Sequence, residues 1–427
     1  MKKRLLMIVL CLMLLLCGCG ESAAASDASV PDEEQIVLRF FHYQVEAEAA
    51  YARVIEAYEA AHPNVTIKSE YLNSESYNST LDARIAVQDC PDIIGVHPGY
   101  AQALPLAEAG HLVSLTGQPC LDGVRESEVD TARIGDTVYG APIDLTYICT
   151  FYNVEIFEQL GLKPPQTWDE FLTVCQTLKD SGITPLSLCY KDAWIRSLIP
   201  YALAVTTIYR DNPDFDREMF EGQQHFNGPQ WQTTLQMLKT LIDSGYVTEN
   251  YLQTTYDQQL RAFADGEAGM MVMGSWAVSM IRAMNPSCRF GLFILPASSD
   301  GVNWIPSSIG GMLAVSEQSK YKDTAIDFLN FFLTNDEVYR QFLQDTGNMP
   351  VKTDFEADCD PILETLNSEI TESYPFLDVG WLNGMQTVFI ETMEQISTGA
   401  DMTQALEQLD QAWMDAYREG QNYESDG

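Results

Sequence analysis

The first clear pattern opens at Ile36. Ile36-Val37-Leu38-Arg39-Phe40-Phe41 is a short apolar run of the kind that forms a buried strand. Behind it Ala47, Ala50, Tyr51, Val54, Ile55 and Tyr58 recur at three- and four-residue spacing, which predicts a helix with one apolar stripe. His62-Pro63-Asn64 stops that helix, because proline lacks an N–H and pushes the preceding residue out of helical geometry. Val65-Thr66-Ile67 resumes a strand, 81–87 reads as helix, and Pro91-Asp92-Ile93-Ile94-Gly95 as strand again. Strands and helices in alternation predict an α/β unit built on a parallel sheet.

A second unit of the same kind begins near Asp144. Thr150-Phe151-Tyr152-Asn153 reads as a strand. Thr167 and Glu170 form a capping-box signature ahead of the stripe Phe171, Val174, Cys175 and Leu178, and Gly182 ends that helix. Helices are predicted over 230–243 and 256–264, and strands over 268–273 and 290–295. A helical pair over 321–333 and 336–343 is divided by Thr334-Asn335. The last helix, 403–418, presents Ala405, Leu406, Leu409, Ala412, Trp413, Ala416 and Tyr417 on one side. There is no internal repeat.

The chain before Ile36 follows another logic. Lys2, Lys3 and Arg4 precede an unbroken apolar run from Leu5 to Cys17, the n- and h-regions of a secretory signal. The run is shorter than the roughly 20 residues a bilayer span needs. Leu16-Cys17-Gly18-Cys19 looks like a bacterial lipobox, with Leu16 three residues and Gly18 one residue before Cys19. On this reading 1–18 is a signal peptide and Cys19 is the lipidated first residue of the mature protein. Cys17 fits less well, since Leu16 would then sit just before the cut. Residues 19–35, rich in Ala, Ser, Asp and Glu, are expected to be a flexible tether. Everything beyond is expected on the extracytoplasmic face of the cell membrane.

Composition adds bounds. A chain of 427 residues is longer than one hydrophobic core usually supports, so two lobes are expected. The net charge of −37 repels nucleic acid and anionic surfaces and suits neutral or cationic ligands, although solubility alone accounts for most of it. Beyond the leader the cysteines are Cys90, Cys120, Cys149, Cys175, Cys189, Cys288 and Cys359. They are odd in number and lack CxxC spacing, so neither a disulfide framework nor a zinc site is expected. The histidines show no ligand spacing. No metal and no cofactor is predicted.

In their order, the blocks of this chain resemble the family 1 extracellular solute-binding proteins of ABC importers, the maltose-binding-protein group. The resemblance is carried by His62-Pro63-Asn64-Val65, Cys90-Pro91-Asp92-Ile93-Ile94 and Ala109-Gly110-His111-Leu112-Val113. Further blocks are Tyr139-Gly140-Ala141-Pro142, Pro164-Pro165-Gln166-Thr167-Trp168-Asp169-Glu170-Phe171, and Phe263-Ala264-Asp265-Gly266 through Gly274-Ser275-Trp276. Gly310-Gly311 and Gly347-Asn348-Met349-Pro350 complete the set. The resemblance implies an α/β, two-lobed periplasmic-binding-protein-like fold with three hinge crossovers, a Venus flytrap. Lobe 1 would be 36–145 plus 297–348 and lobe 2 would be 146–296 plus 349–427. The crossovers would fall near Asp144–Thr146, Leu295–Ala297 and Gly347–Pro350. It also implies a monomeric lipoprotein, not an enzyme, that captures a sugar or oligosaccharide and delivers it to ABC transporter permease subunits.

A pyranose offers one face of C–H groups and a rim of hydroxyls, so aromatic rings and charged hydrogen-bonding groups are the residues to seek. Trp276, after the small-residue pair Gly274-Ser275, is the first candidate, followed by Trp194 and Trp381, with Trp304 behind them. Trp168 and Trp413 read as structural. In lobe 1 the candidates are His42, Tyr43 and Glu46 after the first strand, and Tyr100 in the loop that also carries His97 and Pro98. Asp144 could accept a sugar hydroxyl or fix the hinge. Gly311 and Asn348 are further candidates at the crossovers. Other functions stay open at this point: a lipoprotein that presents ligand to a sensor or serves as an adhesin, and an exported glycosidase. The last needs two carboxylates at a set separation. Sixty-one acidic residues supply such pairs by chance, and neither GxSxG nor HExxH occurs.

Overall fold

The computed structural model describes residues 34–355, 360–382 and 384–425. Cys19, the signal segment and the tether up to residue 33 lie outside these residues, as does Cys359. Among the described residues there are twelve strands: β1 (Ile36–His42), β2 (Val65–Tyr71), β3 (Ile93–Gly95), β4 (Arg133–Ile134), β5 (Thr137–Val138), β6 (Ala141–Asn153), β7 (Thr184–Ser187), β8 (Ala268–Gly274), β9 (Phe290–Phe293), β10 (Ile305–Val315), β11 (Met349–Pro350) and β12 (Ser373–Pro375).

β1 shows why the first unit folds as the pattern predicts. Leu38 and Phe40 enter one core and Phe41 the core on the opposite face of the sheet. A strand buried on both sides reads as a continuous apolar run because both alternating faces are dry. Helix Glu48–Ala61 turns Ala50, Tyr51, Val54, Ile55 and Tyr58 inward, the predicted stripe. The capping box forms as expected: Thr167 accepts from the Glu170 N–H, and Glu170 accepts from the Thr167 N–H, each at 3.3 Å.

The main sheet runs β2-β1-β3-β10-β6-β8-β7, with β9 and β11 on β6 and β12 on β10; β4 and β5 pair separately. β1 is parallel to β2 and β3, and β7 is parallel to β8. β10 is antiparallel to β3 and β6, and β6 to β8. Two packed regions flank this path. The first holds Tyr51, Ile93, Phe328 and Phe342 on one face and Tyr77, Ile94 and Met312 on the other. The second holds Phe151, Phe171, Trp231, Met271, Trp381 and Trp413.

Two long strands carry the chain from one region to the other, and a further passage follows β11. β6 places Ala141, Ile143 and Leu145 in the first and Ile148, Cys149 and Phe151 in the second. β10 has Ile305 in the second and Leu313 and Val315 in the first. The second crossing therefore lies within β10, later than the Leu295–Ala297 expected from the resemblance. Val351 packs in the first region, so its chain extends past residue 348. Nothing in the pattern announced β10 as a strand, because Pro306, Ser307, Ser308, Gly310 and Gly311 interrupt its apolar residues.

Among the described residues no helix is long and apolar enough to cross a membrane. Cys90, Cys120, Cys149, Cys175, Cys189 and Cys288 are free thiols, all but Cys288 buried. Burial pushes the Cys120 thiol up to about 12. Thiol titration of unreduced protein in denaturant should count at least these six per chain. In native buffer labelling should be far slower, because the thiolate is the reactive form. Quantitative disulfide formation among them would overturn this arrangement.

Candidate functional site

The floor between the two packed regions is built around Asp144, which is fully buried in the first half of β6. Its Oδ1 accepts from the Gly311 N–H of β10 at 2.7 Å, and its Oδ2 accepts from Nδ2 of Asn348 at 2.6 Å. In the ladders Asp144 pairs with Gly311 on one side and with Pro350 of β11 on the other. One carboxylate thus ties β6, β10 and the stretch around β11 together. Gly310 is the extra residue of a bulge, where the partners step from Ile309↔Leu145 to Gly311↔Asp144. A Cβ at Gly310 would lie 2.5 Å from Thr146 and 2.7 Å from the Asp144 carboxylate; one at Gly311 would lie 2.7 Å from Gln44. Gln44 bridges to this floor by donating to the Gly310 carbonyl at 3.2 Å while accepting from the Tyr51 hydroxyl at 2.5 Å.

Burial pushes the Asp144 carboxyl up to about 6, with the Asn348 and Gly311 hydrogen bonds pulling it partway back. Of the two roles open to Asp144 in the sequence, its geometry serves the hinge. Both of its oxygens are engaged within the protein, and Gly311 and Asn348 are its partners.

The wall on the first side comes from the C-terminal end of β1, where α/β folds place ligands. Tyr43 stacks on His97 with ring centroids 4.0 Å apart, and its hydroxyl lies 3.5 Å from the carbonyls of Val96 and Gly310. Burial holds His97 down at about 4, hence neutral. Glu46 sits in the 3-10 turn Val45–Ala47, which packs against helix Ala277–Met284 of the other side. It is half-buried. Loss of water pushes its carboxyl up to about 7; its own backbone N–H pulls it down and the Asp144 charge pushes it up.

The facing wall is aromatic. Trp276 closes β8, and its indole lies flat on Gly274, where a Cβ would come 2.0 Å from the ring. Trp194 is 6.0 Å from Trp276 and 5.3 Å from Tyr256 between ring centroids. All three are half-buried. The Tyr256 phenol is pushed up by burial and then by the charge of Glu46, which places these groups of the two walls within electrostatic reach. Its backbone N–H donates to Asp192 at 2.6 Å. At the rim the turn Gly99–Ala101 packs on Leu377–Gly380, with Gly99 so close that a Cβ would lie 2.3 Å from the Val379 carbonyl oxygen. Tyr100, 37% exposed, stands beside this contact.

Two candidates belong elsewhere. Trp381 is 1% exposed, boxed in by Tyr201, Phe226, Phe389 and Trp413, and its indole N–H donates to Asp216. It is a core residue of the second region. His42 is fully buried among Phe40, Tyr51 and Tyr71, and burial holds it at about 4. It supports the first wall from inside without lining it. Trp304 packs at the edge of the second core. Tyr256 and Gln44 were missed. Tyr256 follows Thr255 of a capping box with Gln258, just as Trp168 follows Thr167, so its local signal is that of a helix start. A separate surface groove of about 590 Å³ between helices Glu48–Ala61 and Asp336–Thr346 shares no residue with this site.

Groups from both packed regions thus meet above a shared strand floor. The family model described as bacterial extracellular solute-binding protein matches residues 53–365. The chain belongs to that family. Among its relatives, the multiple sugar-binding protein of Streptococcus mutans is 25% identical over 390 residues, covering 90% of each chain. An ABC transporter extracellular-binding protein of Pyrococcus horikoshii is 22% identical over 374 residues, covering 83% of this chain and 81% of its own. The solved structure of a chitin oligosaccharide binding protein superposes with a TM-score of 0.77 at 22% identity, over 90% of this chain and 99% of the other. This solute-binding protein therefore has the two-lobed fold.

Removing the Asp144 side chain should expose its importance for the floor. Asp144→Ala leaves the Gly311 N–H and the Asn348 amide unpaired and should cost about 1–3 kcal/mol in urea unfolding. Asp144→Asn should cost less, because Asn348 Oδ1 has no partner and can accept from the new amide after a flip. A carboxyl raised from 3.8 to about 6 binds its proton more tightly when folded. Its contribution to stability is complete below pH 4 and fades as pH rises through 6, by an amount on the order of 2–3 kcal/mol. Asp144→Asn should flatten that slope in melting temperature between pH 4 and 8. An unchanged slope would show that Asp144 does not titrate there.

Proposed function

We propose that this solute-binding protein is the lipid-anchored extracytoplasmic receptor of an ABC importer and that its solute is a carbohydrate. The observation that carries the reading is the wall of Trp194, Tyr256 and Trp276 facing Tyr43 and Glu46 across a floor of crossing strands. Flat rings suit the C–H face of a sugar, and the polar groups opposite suit its hydroxyls. The sugar specificities in the names of the multiple sugar-binding and chitin oligosaccharide binding proteins point the same way. An ABC permease is the partner that receives the solute, and Cys19 carries the lipid that keeps the receptor beside it.

Capture proceeds by bending at the three crossings. The lobes we assign meet along β6, β10 and β11, so their walls can approach while both cores stay packed. The solute contacts both walls and stabilises the closed form by its differential affinity for it. No step of this cycle calls for catalysis or a cofactor, and a single chain supplies both walls, in keeping with a monomer.

A thermal-shift screen against a glycan library tests the reading, since a bound sugar raises stability by RT ln(1 + [L]/Kd). With a hit in hand, Trp276→Ala should weaken binding by roughly ten- to a hundredfold, as expected for losing 1–3 kcal/mol of stacking. Trp381→Ala should instead lower ligand-free stability by about 3–5 kcal/mol. A glycan library without a single hit, alongside binding of another solute class, would overturn the carbohydrate assignment. For the anchor, Cys19→Ala should abolish incorporation of labelled fatty acid. Undiminished labelling in that variant would place the lipid elsewhere.

A further inference from the structure

We propose that Gly99 seats a latch between the lobes: the solute-free receptor closes on itself through the Val379 carbonyl, which fills the space where a side chain at Gly99 would stand. This goes beyond the carbohydrate reading and rests on the hinged lobes assigned with it.

Gly99 lies in the turn Gly99–Ala101 of lobe 1, and Val379 in the turn Leu377–Gly380 of lobe 2. A Cβ on Gly99 would come 2.3 Å from the Val379 carbonyl oxygen and 3.2 Å from Val379 Cγ1. Non-bonded atoms do not approach to the first of these distances, so only glycine permits the contact. The backbone asks for the same residue, since its φ is +65°. Although it sits on a turn at the rim, Gly99 is buried.

Neither turn can step aside. The Gly99 N–H donates to the Thr131 carbonyl at 2.8 Å, and the Ala103 N–H to the His97 carbonyl at 2.9 Å. The His97 N–H donates to the Gln102 side chain at 3.0 Å, whose own amide reaches Asn78 at 3.2 Å. In the facing turn the Val379 N–H donates to the Phe376 carbonyl at 3.1 Å, and the Phe376 N–H to Ser307 of β10 at 3.0 Å. Leu377 and Trp381, on either side, are core residues. An obstacle between two turns held in this way has to move whole lobes. The rim contact also has company. Helix Ala277–Met284 of lobe 2 meets the Val45–Ala47 turn and helix Asp336–Thr346 of lobe 1. Beside that helix, a Cβ on Gly347 would be in ordinary contact with Val278, at 3.5 Å. The lobes thus hold each other without anything between them. A closed form populated beforehand takes a smaller share of the solute's binding energy.

Small-angle scattering of the solute-free protein tests the latch. Gly99→Leu drives a wedge into the contact. Gly110→Leu is the control, because Gly110 has a φ of +72° and nothing within 4 Å of its Cβ position. It meets the backbone strain in open space. Wild type and Gly110→Leu should share one radius of gyration. Gly99→Leu should exceed it by about 1 Å or more, for a body whose compact radius is about 21 Å, while still melting cooperatively. Should the leucine variant not fold, Gly99→Ala is the smaller wedge. Unfolding of Gly99→Ala beside a folded Gly110→Ala would overturn the latch, since neither core needs one. So would an unchanged radius in the wedge variant, or a wild type already as wide as Gly99→Leu. If that wild type shrinks with the strongest saccharide of the thermal-shift screen, the hinged carbohydrate receptor stands without the latch. If no saccharide of that library changes its radius, the hinge reading falls as well.

Discussion

Everything in this molecule that could move depends on one buried carboxylate. Asp144 holds Gly311 of β10 with one oxygen and Asn348, just before β11, with the other, from the centre of β6. β6, β10 and the stretch around β11 are therefore held to one another at this point. The point is fully buried at Asp144, and the regions on either side keep their own cores.

The walls divide the work between chemistries. The second lobe supplies apolar faces held in place by tight packing: Gly274 has no Cβ, so the Trp276 indole rests on the backbone. The first lobe supplies polar groups near a strand end, with Gln44 spent on the floor and Glu46 left toward the other wall. Neither half makes a complete site.

Much of the fold was legible because burial on a strand or helix leaves a period in the sequence. The stripe from Ala47 to Tyr58 and the run from Ile36 to Phe41 identify their own elements. β10 left no such trace: its middle is glycine and serine because backbone and Asp144 approach there too closely for side chains. The site was legible in part. Trp276 and Glu46 stand where strand ends meet turns, a position sequence can indicate. His42 also ends a strand and Trp381 follows the turn Leu377–Gly380, yet their rings point into cores, an orientation that composition does not reveal. Tyr256 was hidden by its own helix cap, whose pattern accounts for the residue without any ligand.

The paired glycines of β10 carry a further meaning, for how such a receptor can diversify. At Gly310 and Gly311 any larger residue meets Thr146, Asp144 or Gln44, so these five positions can change only in concert. Of the half-buried rings, Trp276 is tied to Gly274 in the same way, whereas no glycine is held by such a contact to Trp194 or Tyr256. Variation is therefore channelled: a side chain added at Gly310 or Gly311 meets a steric penalty in the floor that a change at Trp194 or Tyr256 does not meet.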